Sequence, residues 1–210
     1  MNKKMRKIDS WKNELNKHKR LILFSILFLI VSLILNYFAG NYVSGTIGAV
    51  APDLILDHLP TLDLDIIFIY GAVLVIAILF IYPLFFKVHE LHKVISQFSL
   101  LVMIRSIFIC FTHLQLPLNA LKFKVPFLLP FLSLQNDLFF SGHTAFPFLG
   151  FLLFKGKIRY FFLASSLVMG AVVLFMHVHY TIDVLSAFFI TYGSFKIGEW
   201  FFNKVNHYND

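Results

Sequence analysis

Residues 21–40 read LILFSILFLIVSLILNYFAG, a stretch of twenty residues without a charged side chain. A helix needs about 20 apolar residues to cross the roughly 30 Å hydrocarbon core of a bilayer. Further apolar runs lie at about 65–86, 94–114, 138–155, 158–177 and 180–202. The sequence therefore predicts six membrane-spanning helices, of which residues 21–40 form the first.

The composition agrees with an integral membrane protein. The 210 residues are 59% hydrophobic, 18% aromatic and 14% charged, whereas a soluble domain is about 25% charged. The runs do not alternate in polarity as the strands of a membrane barrel do. No clean small-residue cleavage site follows the first run, so we expect it to be retained. The prediction is an all-α protein: a basic tail at 1–20, a six-span domain at 21–204 and a short tail at 205–210.

Lysine and arginine predict the orientation, because basic residues concentrate on the cytoplasmic side of membrane proteins. Fifteen of the 18 lie before span one, between spans two and three, between spans four and five, or near the end of span six. Both termini are therefore expected in the cytoplasm. The net charge of +7 reflects this topology and not nucleic-acid binding. The basic tail either rests on anionic lipid headgroups or is simply solvated.

The reactive side chains concentrate on the opposite, extracytoplasmic side. They come from the first outer loop and from the starts of spans four and six: Asp53, Asp57, His58, Asp63, Asp65, Asp137, His143, His177, His179 and Asp183. Ionisable groups within a membrane are costly and commonly functional. We therefore expect the active site on this face.

The segment HVHYTID, residues 177–183, contains a candidate catalytic pair. If span six begins near Tyr180, His179 and Asp183 lie one turn apart on one helix face. A carboxylate at that distance fixes the imidazole tautomer and raises its basicity, as in nucleophile and general-base pairs. A structural hydrogen bond between helices is the alternative. His177 and His179 could also bind a metal in an extended segment, but packing of His177 near a lipid headgroup is favoured, and no metal is predicted.

The segment NDLFFSGHTA, residues 136–145, opens span four. Ser141 or Asp137 can cap the helix, and Gly142 allows another backbone or a ligand to come close. With the span starting near residue 138, His143 lies a little over one turn inside it. N–H groups at a helix start bind anions, and a histidine beside them suits protonation of a leaving oxygen of a phosphate ester.

Arg105 lies inside the third predicted span. It stands nine residues before Leu114, or roughly 13 Å below the outer end at 1.5 Å per residue. Such a deep arginine needs a fixed partner. A substrate phosphate and an ion pair with a side chain such as Asp137 are both open explanations.

DLFFSGHT and, about 40 residues later, HYTID resemble the motifs of the sphingomyelin synthase family, within the type 2 phosphatidate phosphatase superfamily. The segments RSIFICFTHLQLP, residues 105–117, and APDLILDHLP, residues 51–60, are similar to the family's third-span and first-loop segments. The resemblance covers residues 51–190 and includes six spans with cytoplasmic ends.

The resemblance implies a role for each motif residue. His179 would be the nucleophile that takes up a phosphoryl headgroup, Asp183 would orient it, and His143 would protonate the departing alkoxide and then deprotonate the acceptor. The implied partners are a phospholipid donor and a ceramide or other lipid alcohol, and no dissociable cofactor is implied. Asp137, Ser141, Gly142, Arg105 and His177 are expected to bind the substrate.

The sequence departs from the family pattern in one place that bears on specificity. Gln135 and Asn136 stand where the family has Cys-Gly before the aspartate, which leaves headgroup and acceptor open. Lys122 and Lys124 are either headgroup contacts or interfacial anchors. A phosphomonoester dianion usually requires several cations. One deep arginine therefore favours a phosphodiester monoanion, although a lipid phosphate hydrolase and a non-enzymatic scaffold or channel remain competing hypotheses.

Overall fold

The computed structural model describes residues 3–46, 48–121 and 139–206, and the regular secondary structure in these ranges is helical. In chain order the helices are α1 (Lys3–Ser44), α2 (Asp65–Phe86), α3 (Val88–Phe111), α4 (Gly142–Leu153), α5 (Lys157–Phe175) and α6 (Thr181–Asn206). A short 3-10 helix, Leu56–His58, lies between α1 and α2. Within the described ranges there is no strand, only an isolated bridge between Ala49 and Leu114. The predicted all-α class is confirmed.

Within the described residues, four helices are long and apolar enough to cross a membrane: Asp9–Ser44 within α1, and the whole of α2, α3 and α5. α4 differs from its predicted span at 138–155, because it has only 12 residues and a length of about 18 Å. Ser141 and Phe154 have extended backbone conformations at its two ends and set its limits. The count of six spans and the cytoplasmic position of both termini therefore stay predictions.

The basic segment before the first apolar run is part of α1. The helix begins at Lys3 and continues to Ser44 without a break at residue 20, where the sequence suggested a tail boundary. The Trp11 indole N–H donates to the carbonyl of Leu84 near the end of α2, at 2.7 Å. The N-terminal segment is thus a docked helical extension of the first span.

The helices pack around one central apolar cluster. α1 lies along α3, α4 packs on α5 and α6, and α2 contacts α3, α4 and α5. The cluster includes side chains from α2, α3, α4, α5 and α6, among them Leu79, Leu101, Leu149, Phe162 and Ala187. On the outside, α1 exposes large apolar side chains such as Phe24, at 67%. A bundle that is apolar both inside and outside suits a lipid environment, where the backbone must be satisfied by helices.

The loops at one end of the bundle are joined to each other by backbone hydrogen bonds. The N–H of Leu62, before α2, donates to Phe175 at the end of α5, at 2.8 Å. After α3, the N–H of Leu121 donates to Met176 at 3.1 Å, and that of Gln115 donates to Ala49 at 3.1 Å. We call this the site end, because α4 and α6 both begin there.

Candidate active site

His179 and Asp183 are in contact at the start of α6. Nδ1 of His179 lies 3.3 Å from Oδ2 of Asp183, and both side chains are buried. The predicted contact is therefore present, although His179 precedes the helix, which begins at Thr181, and does not lie on it. With the Nδ1 proton directed at the carboxylate, the imidazole lone pair is on Nε2, which is the nitrogen that a nucleophile or base would use.

Asp183 also caps its own helix. Its Oδ2 accepts the backbone N–H of Tyr180 at 2.9 Å, while the N–H of Asp183 donates to the Tyr180 carbonyl at 3.0 Å. The bond from the Tyr180 N–H to the carboxylate is one half of a capping box, with an aspartate in the third helical position. One carboxylate oxygen thus fixes both the helix start and the imidazole beside it, while Oδ1 is buried without a hydrogen-bond partner in the part of the chain that the structure describes.

Ser141 occupies the N-cap position of α4, but its hydroxyl does not cap the helix. Within the described ranges, the buried Oγ has no hydrogen-bond partner. Of the two cap candidates that the sequence offered, Ser141 is therefore wrong, and Asp137 lies outside the described residues. A buried hydroxyl without a partner is costly, so Ser141 Oγ is available for a group that enters the site.

The starts of α4 and α6 are joined directly. The backbone N–H of Ser141 donates to the carbonyl of Asp183 at 3.1 Å, which links the two motifs across 42 residues of sequence. Each helix start has N–H groups without partners inside the helix and the positive end of its dipole. At α6 the N–H groups of Tyr180 and Thr181 are bound by the carboxylates of Asp183 and Asp53, so the start of α4 is the end that favours an entering anion.

Arg105 reaches the same place from α3. Its Nε donates to the carbonyl of Phe140 at 3.1 Å, and the side chain is buried. A Cβ added at Gly142 would lie 3.6 Å from this Nε, which is ordinary van der Waals contact, and 3.2 Å from the Phe146 ring, which is a tight contact. Arg105 stands six residues before the end of α3, or roughly 9 Å, which is shallower than the sequence suggested.

His143 is the second residue of α4, because the helix starts at Gly142. The sequence estimate of a little over one turn inside the helix is therefore wrong by several residues. The half-buried imidazole stacks on the ring of Phe68 in α2, with centroids 4.0 Å apart and planes at 19°. It lies within electrostatic range of both His179 and Arg105. Phe68 is a site residue that sequence reasoning missed, since nothing in a uniformly apolar span marks one phenylalanine among 27.

His177 has a structural role that its sequence motif did not reveal. Its φ is +57°, and the N–H of the following Val178 donates to Val173 at 3.1 Å, which closes α5 in the manner of a Schellman motif. Glycine is usual at this position, so histidine carries conformational strain here. The ring is buried, with Nδ1 3.5 Å from the carbonyl of Phe175.

Asp53 of the first outer loop also reaches the start of α6. Its Oδ2 accepts the backbone N–H of Thr181 at 2.6 Å, and its Oδ1 accepts the Thr181 hydroxyl at 2.8 Å. The sequence placed Asp53 among the outer acidic residues but did not assign it to the site, because a contact across 128 residues leaves no periodic signal.

No protein-family model, curated protein or solved structure matches the chain. The resemblance to sphingomyelin synthases therefore rests on the motifs alone. The site that this resemblance implies contains three catalytic candidates, His143, His179 and Asp183, and the cation Arg105. These residues come from α3, α4, α6 and the turn before α6.

Three predicted residues lie outside the described residues: Asp137, Lys122 and Lys124. The structure brings Arg105, Ser141, Gly142, His179 and Asp183 together at the site end and places His143 beside them. Among the described residues, no three His, Cys, Asp or Glu side chains form a group that could hold a metal ion.

Proposed function

We propose that the protein is a membrane-embedded lipid phosphotransferase. It would move a phosphoryl headgroup, of the phosphocholine or phosphoethanolamine type, from a glycerophospholipid to ceramide or another lipid alcohol through a phosphohistidine. The observation that carries the proposal is the hydrogen bond from Ser141 N–H to the Asp183 carbonyl. It brings the SGHT helix start and the His179–Asp183 pair to one place.

In the first half-reaction, Nε2 of His179 attacks the phosphorus of the donor and a P–N bond forms. The P–O bond to diacylglycerol breaks, and its electron pair goes to the glycerol oxygen, which takes a proton from His143. Asp183 holds the Nδ1 proton of His179 and stabilises the positive charge that develops on the imidazole. The start of α4 and the Arg105 guanidinium stabilise the charge on the phosphoryl oxygens.

In the second half-reaction, the hydroxyl of the lipid alcohol gives its proton to His143, and its oxygen attacks the phosphorus. The P–N bond breaks, and the electron pair returns to Nε2 of His179. The enzyme is thus regenerated, with one headgroup transferred and no net change in protonation. Such two-step transfer through a covalent intermediate is typical of activated nucleophiles.

The charge of the site supports a phosphodiester donor. Among the described residues of the site, the negative charge of the buried Asp183 opposes the positive charge of Arg105, and the start of α4 adds a partial positive charge. A monoanionic diester matches this modest positive potential better than a dianionic monoester does. Hydrolysis remains the related reaction, with water in place of the lipid alcohol.

A lipid-product assay tests the proposal. Purified protein receives headgroup-labelled phosphatidylcholine or phosphatidylethanolamine, or labelled phosphatidic acid, each with and without ceramide. We expect ceramide-dependent transfer of a whole headgroup with release of diacylglycerol, and an acid-labile, alkali-stable labelled protein when the acceptor is omitted. Release of inorganic phosphate from phosphatidic acid alone would make the protein a hydrolase.

His179→Ala should abolish transfer and labelling, while His58→Ala should leave both unchanged, because His58 is an exposed histidine of the outer loop. Normal turnover by folded His179→Ala protein would overturn the phosphohistidine mechanism. Absence of turnover on every lipid would favour the scaffold or channel hypothesis.

A further inference from the structure

Asp53 is more firmly bound than an exposed loop carboxylate would be. The residue is 9% exposed, and its two oxygens accept four hydrogen bonds. Two come from its own loop, from the N–H groups of Ile55 and Leu56, each at 3.0 Å. The other two come from Thr181, so half of the bonds leave the loop and reach α6.

Thr181 is the first residue of α6, and its N–H has no possible partner inside the helix. A carboxylate is the favoured partner for such a group, because the helix dipole is positive at this end. Asp53 supplies it from a distant loop, whereas Asp183 supplies the carboxylate for the preceding N–H, that of Tyr180. Two carboxylates therefore fix two consecutive amides immediately after His179.

The same loop holds the residue between His179 and Thr181. The Tyr180 hydroxyl accepts the N–H of Ala51 at 3.2 Å and donates to the carbonyl of Gln115 at 2.9 Å. Residues 51 and 53 of the loop thus bind residues 180 and 181. The chain next to His179 is held through both its backbone and its side chains.

We propose that Asp53 is a positioning residue of the active site, which sets the direction of the His179 imidazole by fixing the first turn of α6. This inference rests on the proposed function, in which His179 must meet a phosphorus atom in line with the leaving oxygen. Small displacements of a reacting group reduce the rate of the chemical step far more than they reduce binding. Asp53 acts through Thr181 and touches no reacting atom.

A purely structural link would behave differently from a positioning residue. Loss of a structural link lowers the fraction of folded protein, and turnover falls in proportion. Loss of positioning lowers kcat of the protein that is folded, leaves KM nearly unchanged and loosens the first turn of α6.

The test uses the full chain with Asp53→Asn, Asp53→Glu and Thr181→Val, and with Asp63→Asn as the matched control. Asp63 is an exposed carboxylate of the same loop, and its hydrogen bond within the described residues comes from the local N–H of Asp65, at 3.2 Å. The measurements are kcat and KM for headgroup transfer, thermal unfolding, and hydrogen exchange of the peptide that spans 177–184.

For Asp53→Asn we expect kcat to fall about 10- to 100-fold per folded molecule with KM within about twofold, the scale of a small misplacement of a reacting group. Asp53→Glu should restore part of this loss because it keeps the charge. Thr181→Val should reduce kcat less than Asp53→Asn does, because the backbone N–H of residue 181 can still donate to Asp53. Exchange in 177–184 should accelerate in Asp53→Asn and stay unchanged in Asp63→Asn.

Two results would overturn the inference: a kcat per folded molecule within about twofold of the wild type, or unchanged exchange in 177–184. Failure of the proposed function appears separately, as absence of turnover by the wild-type protein. In that case the exchange of 177–184 and the rate of His179 modification by diethyl pyrocarbonate still decide whether Asp53 holds this segment.

Discussion

At the scale of single residues, the two helix starts of the site use their polar side chains in opposite ways. Asp183 caps α6 and binds His179 with the same oxygen. Ser141 stands at the N-cap of α4, yet its hydroxyl has no partner among the described residues. A sequence pattern that marks a helix start therefore does not say whether the side chain is used by the helix.

Asp183→Asn tests the electrostatic part of the catalytic pair. The amide can still accept a hydrogen bond from Nδ1 of His179, but it cannot stabilise a positive imidazole. We expect kcat to fall about 10²- to 10⁴-fold, the usual contribution of a general acid–base partner. Steady-state transfer kinetics measure the loss, with Asp63→Asn as the control. A rate close to that of the wild type would mean that the pair is only structural.

Phe68→Leu tests whether stacking orients His143. The change keeps an apolar side chain but removes the aromatic face that lies 4.0 Å from the imidazole. We expect kcat to fall about tenfold, since stacked ring pairs contribute about 0.5–1.5 kcal/mol. Phe189→Leu is the control, because Phe189 is 77% exposed on α6. An equal effect of both changes would exclude a specific role of Phe68.

At the scale of elements, α4 is held by close contact with α5. A Cβ added at Gly150 would overlap the ring of Phe162, which is fully buried. Small residues let helices approach closely in membranes, where apolar burial alone does not hold them together. Because α4 has only 12 residues, this contact and those with α6 fix the position of His143.

Gly150→Val should separate α4 from α5 and lower the free energy of unfolding by about 1–3 kcal/mol, the usual cost of overpacking. Gly193→Val is the matched control, since no atom lies within 4 Å of a Cβ at Gly193 in α6. Thermal unfolding in detergent compares the two. Equal unfolding temperatures would show that α4 can move without cost.

The stabilisation that the Asp53–Thr181 hydrogen bonds give to the folded protein should depend on pH. Burial alone would raise the pKa of Asp53, but hydrogen bonds from Leu56, from the N–H and hydroxyl of Thr181 and from Ile55 hold it below the usual 3.8. The Asp53 carboxylate therefore binds a proton more readily in the unfolded chain than in the folded protein. The stabilisation is fully present above about pH 4 and is lost as the pH falls through the lower folded pKa.

The difference in unfolding temperature between the wild type and Asp53→Asn should be largest above about pH 4 and shrink at lower pH. Thermal unfolding from pH 7 to pH 3 measures it, with Asp63→Asn as the reference. A difference in unfolding temperature that is constant across this pH range would show that the ionised Asp53 carboxylate is not what stabilises the link.

At the scale of the whole molecule, the loops of the site end bind one another, and the lysines and arginines predict that this end is extracytoplasmic. Leu54 and Leu118 are each 87% exposed at the site end, whereas Lys157 begins α5 at the opposite end. Cys110 is the only cysteine, so single-cysteine variants are simple to make in a Cys110→Ala background.

A membrane-impermeant maleimide applied to intact cells should label Leu54→Cys and Leu118→Cys but not Lys157→Cys. Lysis should make all three reactive, which controls for folding and access. Labelling of Lys157→Cys alone in intact cells would reverse the orientation and place the site end in the cytoplasm.

The sequence by itself determined the all-helical class and the His179–Asp183 contact. Both follow from local rules: long apolar runs need helices in lipid, and residues one turn apart meet at a helix start. The tertiary structure alone decided which partners Arg105, Ser141 and His143 have, and it added Phe68 and Asp53 to the site. These contacts join residues far apart in sequence, and their geometry depends on where α4 begins and how closely the helices pack, which apolar periodicity does not encode.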